Sequence, residues 1–242
     1  TWRGRVLCPL FQQVETGMIK GGLMMENDLK ILYEDKDITV CIKPKGISSE
    51  DSPSEKGFIG LLSERAGKPL HLLHRLDRNV SGVMVFANNK QSAAILSKAI
   101  ADRKLKKEYL AVLDGIPEEK SAVLKDLLFK DSRKKRSYVV NRVRKGVKDA
   151  SLEYAVVGES ESKALVQVLL HTGRTHQIRV QFSSRKLCLT GDIKYGSKDR
   201  TNCEIALHSY KLTFNHPATN EEITFQSEPD FTAYPWNLFK GE

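Results

Sequence analysis

Runs of alternating apolar and polar residues recur along most of the chain, and this period of two is typical of strands with one buried face. The runs predict strands at 31–34, 38–43, 106–112, 151–157, 164–170, 205–214 and 221–225. Apolar positions at helical spacing predict helices at 57–66, 90–100 and 175–183. Strands therefore outnumber helices, and the pattern favours the α+β class, with a mixed, mostly antiparallel sheet and flanking helices.

Two further apolar runs enclose the stretch from His71 to Ala87, HLLHRLDRNVSGVMVFA. They predict two strands joined by a tight loop, and Gly82 supplies the backbone freedom that such a loop needs. The loop carries Arg75 and Asp77 at its mouth, and loops on a rigid sheet often hold catalytic groups. The simpler interpretation is an ion pair on a surface turn.

The first 28 residues lack periodicity, and glycines at positions 17, 21 and 22 weaken any helix there. We therefore expect an N-terminal extension of unknown role at 1–28 and one domain at 29–242, with Trp236, Leu238 and Phe239 packing back onto it. The apolar run at 6–11 is short for a signal-peptide core, and no run approaches the roughly 20 residues that a membrane helix needs. These features predict a cytoplasmic protein.

Basic residues exceed acidic ones, 39 against 30, and the formal net charge of +9 favours a polyanionic partner such as nucleic acid. Many of them lie between 121 and 150, where they alternate with apolar residues and predict a hairpin with one basic face: Arg133, Lys134, Lys135, Arg136, Arg142, Arg144, Lys145 and Lys148. Such a face suits a phosphate backbone. A merely solvated charged face is the alternative.

The sequence carries no recognisable cofactor or metal motif. Its four cysteines, at positions 8, 41, 188 and 203, are far apart and form no C-x-x-C pair, which predicts ordinary thiols in a reducing compartment. His171 and His176 have no carboxylate or cysteine at ligand spacing. Dinucleotide, P-loop, metalloprotease and G-x-S-x-G motifs do not occur. We therefore predict neither a cofactor nor a metal.

Three separated motifs occur in a defined order: HRLD followed by SG at 74–82, GRTHQIR at 173–179, and GDxxYG at 191–196. Over residues 31–225 the chain resembles the pseudouridine synthases of the RluA type. The resemblance implies a pseudouridine synthase fold with a central active-site cleft, and conversion of specific uridines in structured ribosomal or transfer RNA to pseudouridine. The chain departs from the family pattern at 47–51, which is acidic, and at Val80, where relatives often carry Thr.

The resemblance also assigns roles to residues of this chain. It implies that Asp77 is essential to the reaction, by attack at C1′ of the sugar, by attack at C6 of the base, or as the base in a glycal route. Arg174 would hold this carboxylate, and Tyr109, in the family's KxYxA segment, would stack on the target base. Arg75 would fill the gap left by a flipped uridine. The RNA-binding surface would include Lys43, His176, Arg179 and the basic residues Arg133, Lys134, Lys135 and Arg136.

We expect a monomer that binds RNA and no membrane. Two other classes of function stay open at this point. One is an RNA-binding protein that kept the fold and lost catalysis, and the presence of Asp77, Arg174 and Tyr109 argues against it. The other is a DNA-binding protein, for which the sequence offers no helix-turn-helix or similar reader.

Overall fold

The computed structural model describes residues 29–202 and 204–240, so the predicted extension at 1–28 and Cys203 lie outside the described residues. The described chain forms eleven strands and three α-helices. In chain order they are β1 (Lys30–Glu34), β2 (Ile38–Lys43), α1 (Phe58–Arg65), β3 (His71–Leu72), β4 (Ser81–Ala87), α2 (Lys90–Ala101), β5 (Lys106–Leu113), β6 (Ser121–Asp131), β7 (Arg136–Val140), β8 (Val147–Glu159), β9 (Ala164–Leu170), α3 (Gln177–Ser183), β10 (Leu207–Asn215) and β11 (Glu222–Gln226).

All eleven strands belong to one sheet, whose main order is β1-β2-β4-β10-β5-β9-β8-β6-β7, with β3 paired to β4 and β11 paired to β10. The pairing of β10 with β4 is parallel, and the other described pairs are antiparallel. The predicted α+β fold with a mixed, mostly antiparallel sheet is confirmed. The late strand β10 lies in the middle, between β4 and β5.

The helices cover both faces of the sheet. On one face, α1 and α3 contribute Phe58, Leu62, Ile178 and Phe182 to the largest apolar core, which also contains Met84 of β4. On the other face, Leu96 of α2 packs with the valines at positions 83 and 85 of the same strand. Because side chains alternate along a strand, β4 is apolar on both sides. This double burial makes β4 a rigid support for the loop that precedes it.

Gly82 is required where β4 meets β10. Its φ is +121°, and a Cβ at this position would lie 2.2 Å from the carbonyl oxygen of Ser209. A larger residue would push the two strands apart, because the clashing atom belongs to the neighbouring backbone. Gly82 was predicted to give freedom to a loop, and in the structure it permits the close approach of the parallel strand pair.

Most predicted elements occur close to their expected positions. The Asn89 side chain caps α2 by accepting a hydrogen bond from Ser92 N. The third helix begins at Gln177 and not at Thr175, because His176 adopts a left-handed conformation with φ of 55°. Trp236 and Phe239 are buried as expected, whereas Leu238 is 42% exposed. No helix in the described ranges has the length and apolar character to cross a membrane.

Candidate active site

The loop between β3 and β4 forms the floor of a cleft of about 800 Å³. The cleft is lined by residues 72–78 of this loop, by Tyr109 of β5 and by residues 170–179 at the end of β9 and the start of α3. Among the predicted site residues, it brings together Arg75, Asp77, Tyr109, Arg174, His176 and Arg179. Strands at the centre of the sheet therefore collect side chains from three distant parts of the sequence.

Backbone and side-chain hydrogen bonds fix the loop. Ser49 Oγ donates to Leu76 O at 2.9 Å and accepts from Leu76 N at 3.0 Å. Within the loop, Val80 N donates to the carbonyl of Asp77 at 3.0 Å. Val80 itself is 2% exposed and packs in the apolar core, so this departure from the family pattern adds to the packing beneath the loop.

An ion pair orients the Asp77 carboxylate. Arg179 Nη1 donates to Asp77 Oδ2 at 2.8 Å, and the same guanidinium binds Asp192 through Nε at 2.6 Å and Nη2 at 2.9 Å. The side chains of Arg179 and Asp192 are 6% and 1% exposed, against 27% for Asp77. Burial alone would lower the pKa of Arg179, but its two carboxylate partners raise it above the ordinary value. The arginine therefore stays charged and holds Asp77 in one position.

One oxygen of Asp77 remains available for chemistry. Its Oδ2 meets Arg179 and lies 3.8 Å from His176 Nε2. Within the described part of the chain, Oδ1 forms no hydrogen bond. A carboxylate that is aligned through one oxygen and open at the other can act as a nucleophile or as a base.

The prediction that Arg174 holds the Asp77 carboxylate is wrong. Arg174 lines the cleft, but its Nε donates to the carbonyl of Asp149 at 2.9 Å, and the ion pair is made by Arg179 instead. Arg174 lies in the turn before α3, whereas Arg179 lies in the buried part of the helix and faces Asp77. The signal in the sequence was an arginine between Ile178 and Val180, because a charge inside an apolar helical stripe is buried and needs carboxylate partners.

Two predicted RNA contacts are also corrected. Arg179 is 5% exposed and occupied by its two carboxylates, so it is not available to RNA. Lys43 is fully buried, and its ammonium donates to the carbonyls of Pro44, Ile47 and Arg78 at 2.8, 2.9 and 3.2 Å. Burial lowers the pKa of Lys43 to about 7, while Asp77 acts in the opposite direction. Lys43 therefore joins the KPKG turn to the Asp77 loop and has a structural role.

Tyr109 and Arg75 both line the cleft, but in different environments. The Tyr109 side chain is 5% exposed. Its burial and the negative charge of Asp77 raise the pKa of Tyr109, so the phenol is neutral, although a hydrogen bond with Ser209 opposes this shift. The Arg75 side chain is 55% exposed and pairs with Glu50 at 2.8 Å. The cleft thus offers a fixed neutral ring near the carboxylate and an arginine at its rim that can change partners.

Sequence reasoning missed the part played by Tyr195. The hydroxyl of Tyr195 accepts a hydrogen bond from Ser137 N at 2.8 Å and forms another with His176 Nδ1 at 2.9 Å. Burial lowers the pKa of His176, and Asp77 opposes this effect. The Tyr195 ring also lies under the guanidiniums of Arg136 and Arg179, 4.9 and 5.0 Å from its centroid. Tyr195 therefore connects the β6–β7 hairpin to the residues that surround Asp77.

The predicted basic hairpin is present as β6 and β7, which pair from Leu127↔Val140 to Asp131↔Arg136. Its tip exposes Arg133, Lys134 and Lys135. Arg136 differs because its guanidinium stacks over the rings of Tyr138 and Tyr195, and its Nε is buried without a hydrogen-bond partner. We call Arg133, Lys134 and Lys135 the basic tip; Arg142, Lys145 and Lys148, further along the chain, are exposed as well.

One group of side chains outside the cleft has the composition of a metal site: Asp35, Asp37 and His216. Asp35 Oδ1 accepts hydrogen bonds from the backbone N–H groups of Asp37 and Ile38, both at 2.7 Å. Its Oδ2 forms a hydrogen bond with His216 Nε2 at 2.9 Å. These contacts join the β1–β2 turn to the β10–β11 turn, and the group does not line the cleft.

The fold and the cleft define a class of RNA-modifying enzyme, and comparison with known proteins identifies it. The family model described as RNA pseudouridylate synthase matches residues 37–184. An uncharacterized RNA pseudouridine synthase of Mycoplasma pneumoniae is 34% identical over 209 residues, which cover 84% of this chain and 68% of the relative. The ribosomal large subunit pseudouridine synthase C of Buchnera aphidicola is 30% identical over 213 residues, covering 83% and 67% of the two chains.

The solved structure of the human RNA pseudouridylate synthase domain containing 4 matches with a TM-score of 0.69 and 25% identity, over 86% of this chain and 90% of that one. The chain belongs to the RNA pseudouridylate synthase family, and within it to the RluA type. Its enzyme class is that of the RNA pseudouridine synthases, which are isomerases that act on RNA.

Proposed function

We propose that Asp77 is the catalytic residue with which this enzyme converts specific uridines of structured RNA to pseudouridine. The observation that carries the proposal is the Asp77 carboxylate at the floor of the cleft, held through Oδ2 by Arg179 and free at Oδ1. Arg179 is a positioning residue, because it aligns the carboxylate and is itself fixed by Asp192.

The reaction breaks the bond between C1′ of the ribose and N1 of uracil, turns the base, and joins C1′ to C5. The hydrogen on C5 then leaves as a proton and N1 takes up a proton, so the isomerisation is redox-neutral and needs no redox cofactor. Attack at C1′, attack at C6 and proton removal in a glycal route all begin with an ionised carboxylate. The buried Arg179 guanidinium holds the Asp77 carboxylate in one position, which supports each of these routes.

The target uridine reaches the cleft by flipping out of the RNA, at a cost of a few kcal/mol in lost stacking. We propose that the base stacks on the ring of Tyr109, whose neutral hydroxyl is available for proton transfer. Arg75 would leave Glu50 and enter the vacated position in the RNA, where a planar guanidinium can stack and bind phosphate. Its exposure at the rim supports this exchange of partners.

The remaining RNA would lie over the rim and the basic tip. Arg133, Lys134 and Lys135 are exposed and offer charge to the phosphate backbone. We favour ribosomal RNA over transfer RNA as the substrate, because a relative with 30% identity is named for the large ribosomal subunit. We further propose that the enzyme acts in the cytoplasm as a monomer.

Release of tritium from RNA transcribed with 5-tritiated uridine tests the proposal directly. Wild-type protein and Asp77→Asn are each incubated with a ribosomal and a transfer RNA pool. We expect release by the wild type alone, with the responding pool naming the substrate class. Equal release by both proteins would remove Asp77 from the mechanism. Release by neither, with RNA still bound, would favour the alternative of a binding protein.

A further inference from the structure

The cleft contains a half-buried lysine without a counter-ion. Lys107 of β5 lines the cleft, yet it has no ion pair or hydrogen bond within 29–202 and 204–240. The neighbouring Glu108 cannot compensate it, because this carboxylate binds Lys211 and Gln167. Burial lowers the pKa of Lys107, and no acidic group opposes that shift. An ammonium in this position lacks the anion that would offset its loss of water.

His74 also lines the cleft and carries a second hydrogen-bond donor without an acceptor. His74 Nε2 accepts a hydrogen bond from the backbone N–H of Val85 at 3.2 Å. Burial, and then the positive charge of Lys107, lower the pKa of His74 to about 3, so the ring is neutral and carries its hydrogen on Nδ1. This Nδ1 is buried and has no hydrogen-bond partner. Two donors of the cleft wall therefore have no acceptor.

The backbone at Gly173 forms the side of the cleft that faces Lys107. A Cβ built on Gly173 would lie 3.4 Å from Lys107 Nζ, so the lysine faces the start of the GRTHQIR segment at a point where no side chain occupies the space. Lys107 is also two residues from Tyr109 on the same side of β5, a separation of about 7 Å along the strand. Lys107 thus lies about one nucleotide away, along the strand, from the ring on which the target base would stack.

We propose that Lys107, supported by His74, binds one phosphate of the RNA strand next to the target uridine. The proposal rests on the function proposed above, because it takes Tyr109 as the stacking surface. A phosphate is favoured over a uracil carbonyl because the uncompensated charge of Lys107 calls for an anion, and because the carboxylates of the cleft already have cationic partners. The subsite would fix the strand on one side of the flipped nucleotide.

The test is the salt dependence of binding of a fluorescent uridine dodecamer, which needs no unpairing to enter the cleft. Each phosphate contact in a single strand contributes about 0.7 to the slope of log affinity against log salt. We expect Lys107→Gln to make the slope shallower by about 0.7 and to weaken binding at low salt by about fivefold. Lys107→Arg keeps the charge and should keep the slope.

Lys106→Gln is the matched control, because Lys106 is exposed on the opposite side of the same strand. It should leave the slope unchanged, and a dodecamer of neutral methylphosphonates should bind wild type and Lys107→Gln equally. An unchanged slope for Lys107→Gln, or an equal loss for Lys106→Gln, would overturn the subsite. Binding is measured without turnover, so this result is independent of whether tritium release assigns catalysis to Asp77.

Discussion

Charged side chains are paired both at the floor of the cleft and at its rim, but only the floor is shielded from water. At the floor, Arg179 joins Asp77 to Asp192 and is 6% exposed. At the rim, Arg75 pairs with Glu50 and Arg78 with Glu55, and these four side chains are 45–55% exposed. Exposed pairs contribute roughly 0–1 kcal/mol, whereas breaking a buried pair costs several. The buried ion pairs at the floor hold their side chains in one geometry, whereas the arginines at the rim can exchange their carboxylate partners for phosphate.

The largest effect should come from the carboxylate itself. Asp77→Asn should reduce tritium release to background and leave RNA affinity within a few-fold, because the substitution removes charge without changing bulk. Glu50→Gln is the control, because it removes a carboxylate charge at the rim, and this variant should retain turnover. Normal rates for Asp77→Asn would mean that the floor is only a structural ion pair.

The next effect concerns stability at the floor. Arg179→Ala should lower the free energy of unfolding by about 3–5 kcal/mol, because it leaves the buried Asp192 carboxylate without its partner. In thermal unfolding this corresponds to a decrease of roughly 10 °C for a chain of this size. Arg174→Ala is the control, since its single bond to the Asp149 carbonyl is exposed, and it should change stability by less than about 1 kcal/mol. Equal losses for the two variants would refute the assignment of the ion pair.

A pH-dependent effect should follow from His74. Its pKa is lowered to about 3 in the folded protein, so between pH 6.5 and 3 the unfolded chain binds a proton that the folded chain does not. Stability contributed by the neutral ring is therefore complete above pH 6.5 and is lost as the pH falls. Within that window His74→Gln should remove up to about 1.4 kcal/mol per pH unit from the slope of unfolding free energy against pH. Urea titrations at several pH values measure this slope, and the same slope in both proteins would contradict burial of a neutral His74.

The smallest effect is expected at the basic tip, outside the cleft. Replacing the basic tip residues Arg133, Lys134 and Lys135 with Gln should make the salt dependence of RNA binding shallower by about 2, with little change in melting temperature. Arg136→Gln should instead destabilise the hairpin, because that guanidinium stacks on Tyr138 and Tyr195. An unchanged slope for the triple variant would leave the tip as a solvated surface.

The sequence was sufficient for most elements and for several of the cleft residues. Period-two alternation located the strands because one face of the sheet is usually buried, and the family motifs, together with the KxYxA segment, singled out Asp77, Tyr109 and the GRTHQIR segment. The sequence was insufficient to show which charged side chains contact each other. Whether Arg174 or Arg179 meets Asp77 depends on which side chain the turn and the helix direct at the floor of the cleft, and a linear pattern does not show this. Likewise, Lys43 looked like an RNA contact because its three carbonyl acceptors are invisible in a linear pattern.

The position of β10 has a consequence for how the molecule forms. The strand that carries the Asp77 loop, β4, reaches β5 only through β10, whose residues come about 120 positions later in the chain. Pairing between segments so distant in sequence carries a large loop-closure cost and slows folding. During synthesis, β4 and β5 are made well before their common neighbour, which begins only at Leu207. The cleft therefore closes late, and the final strand to join the centre of the sheet also completes the support of the catalytic loop.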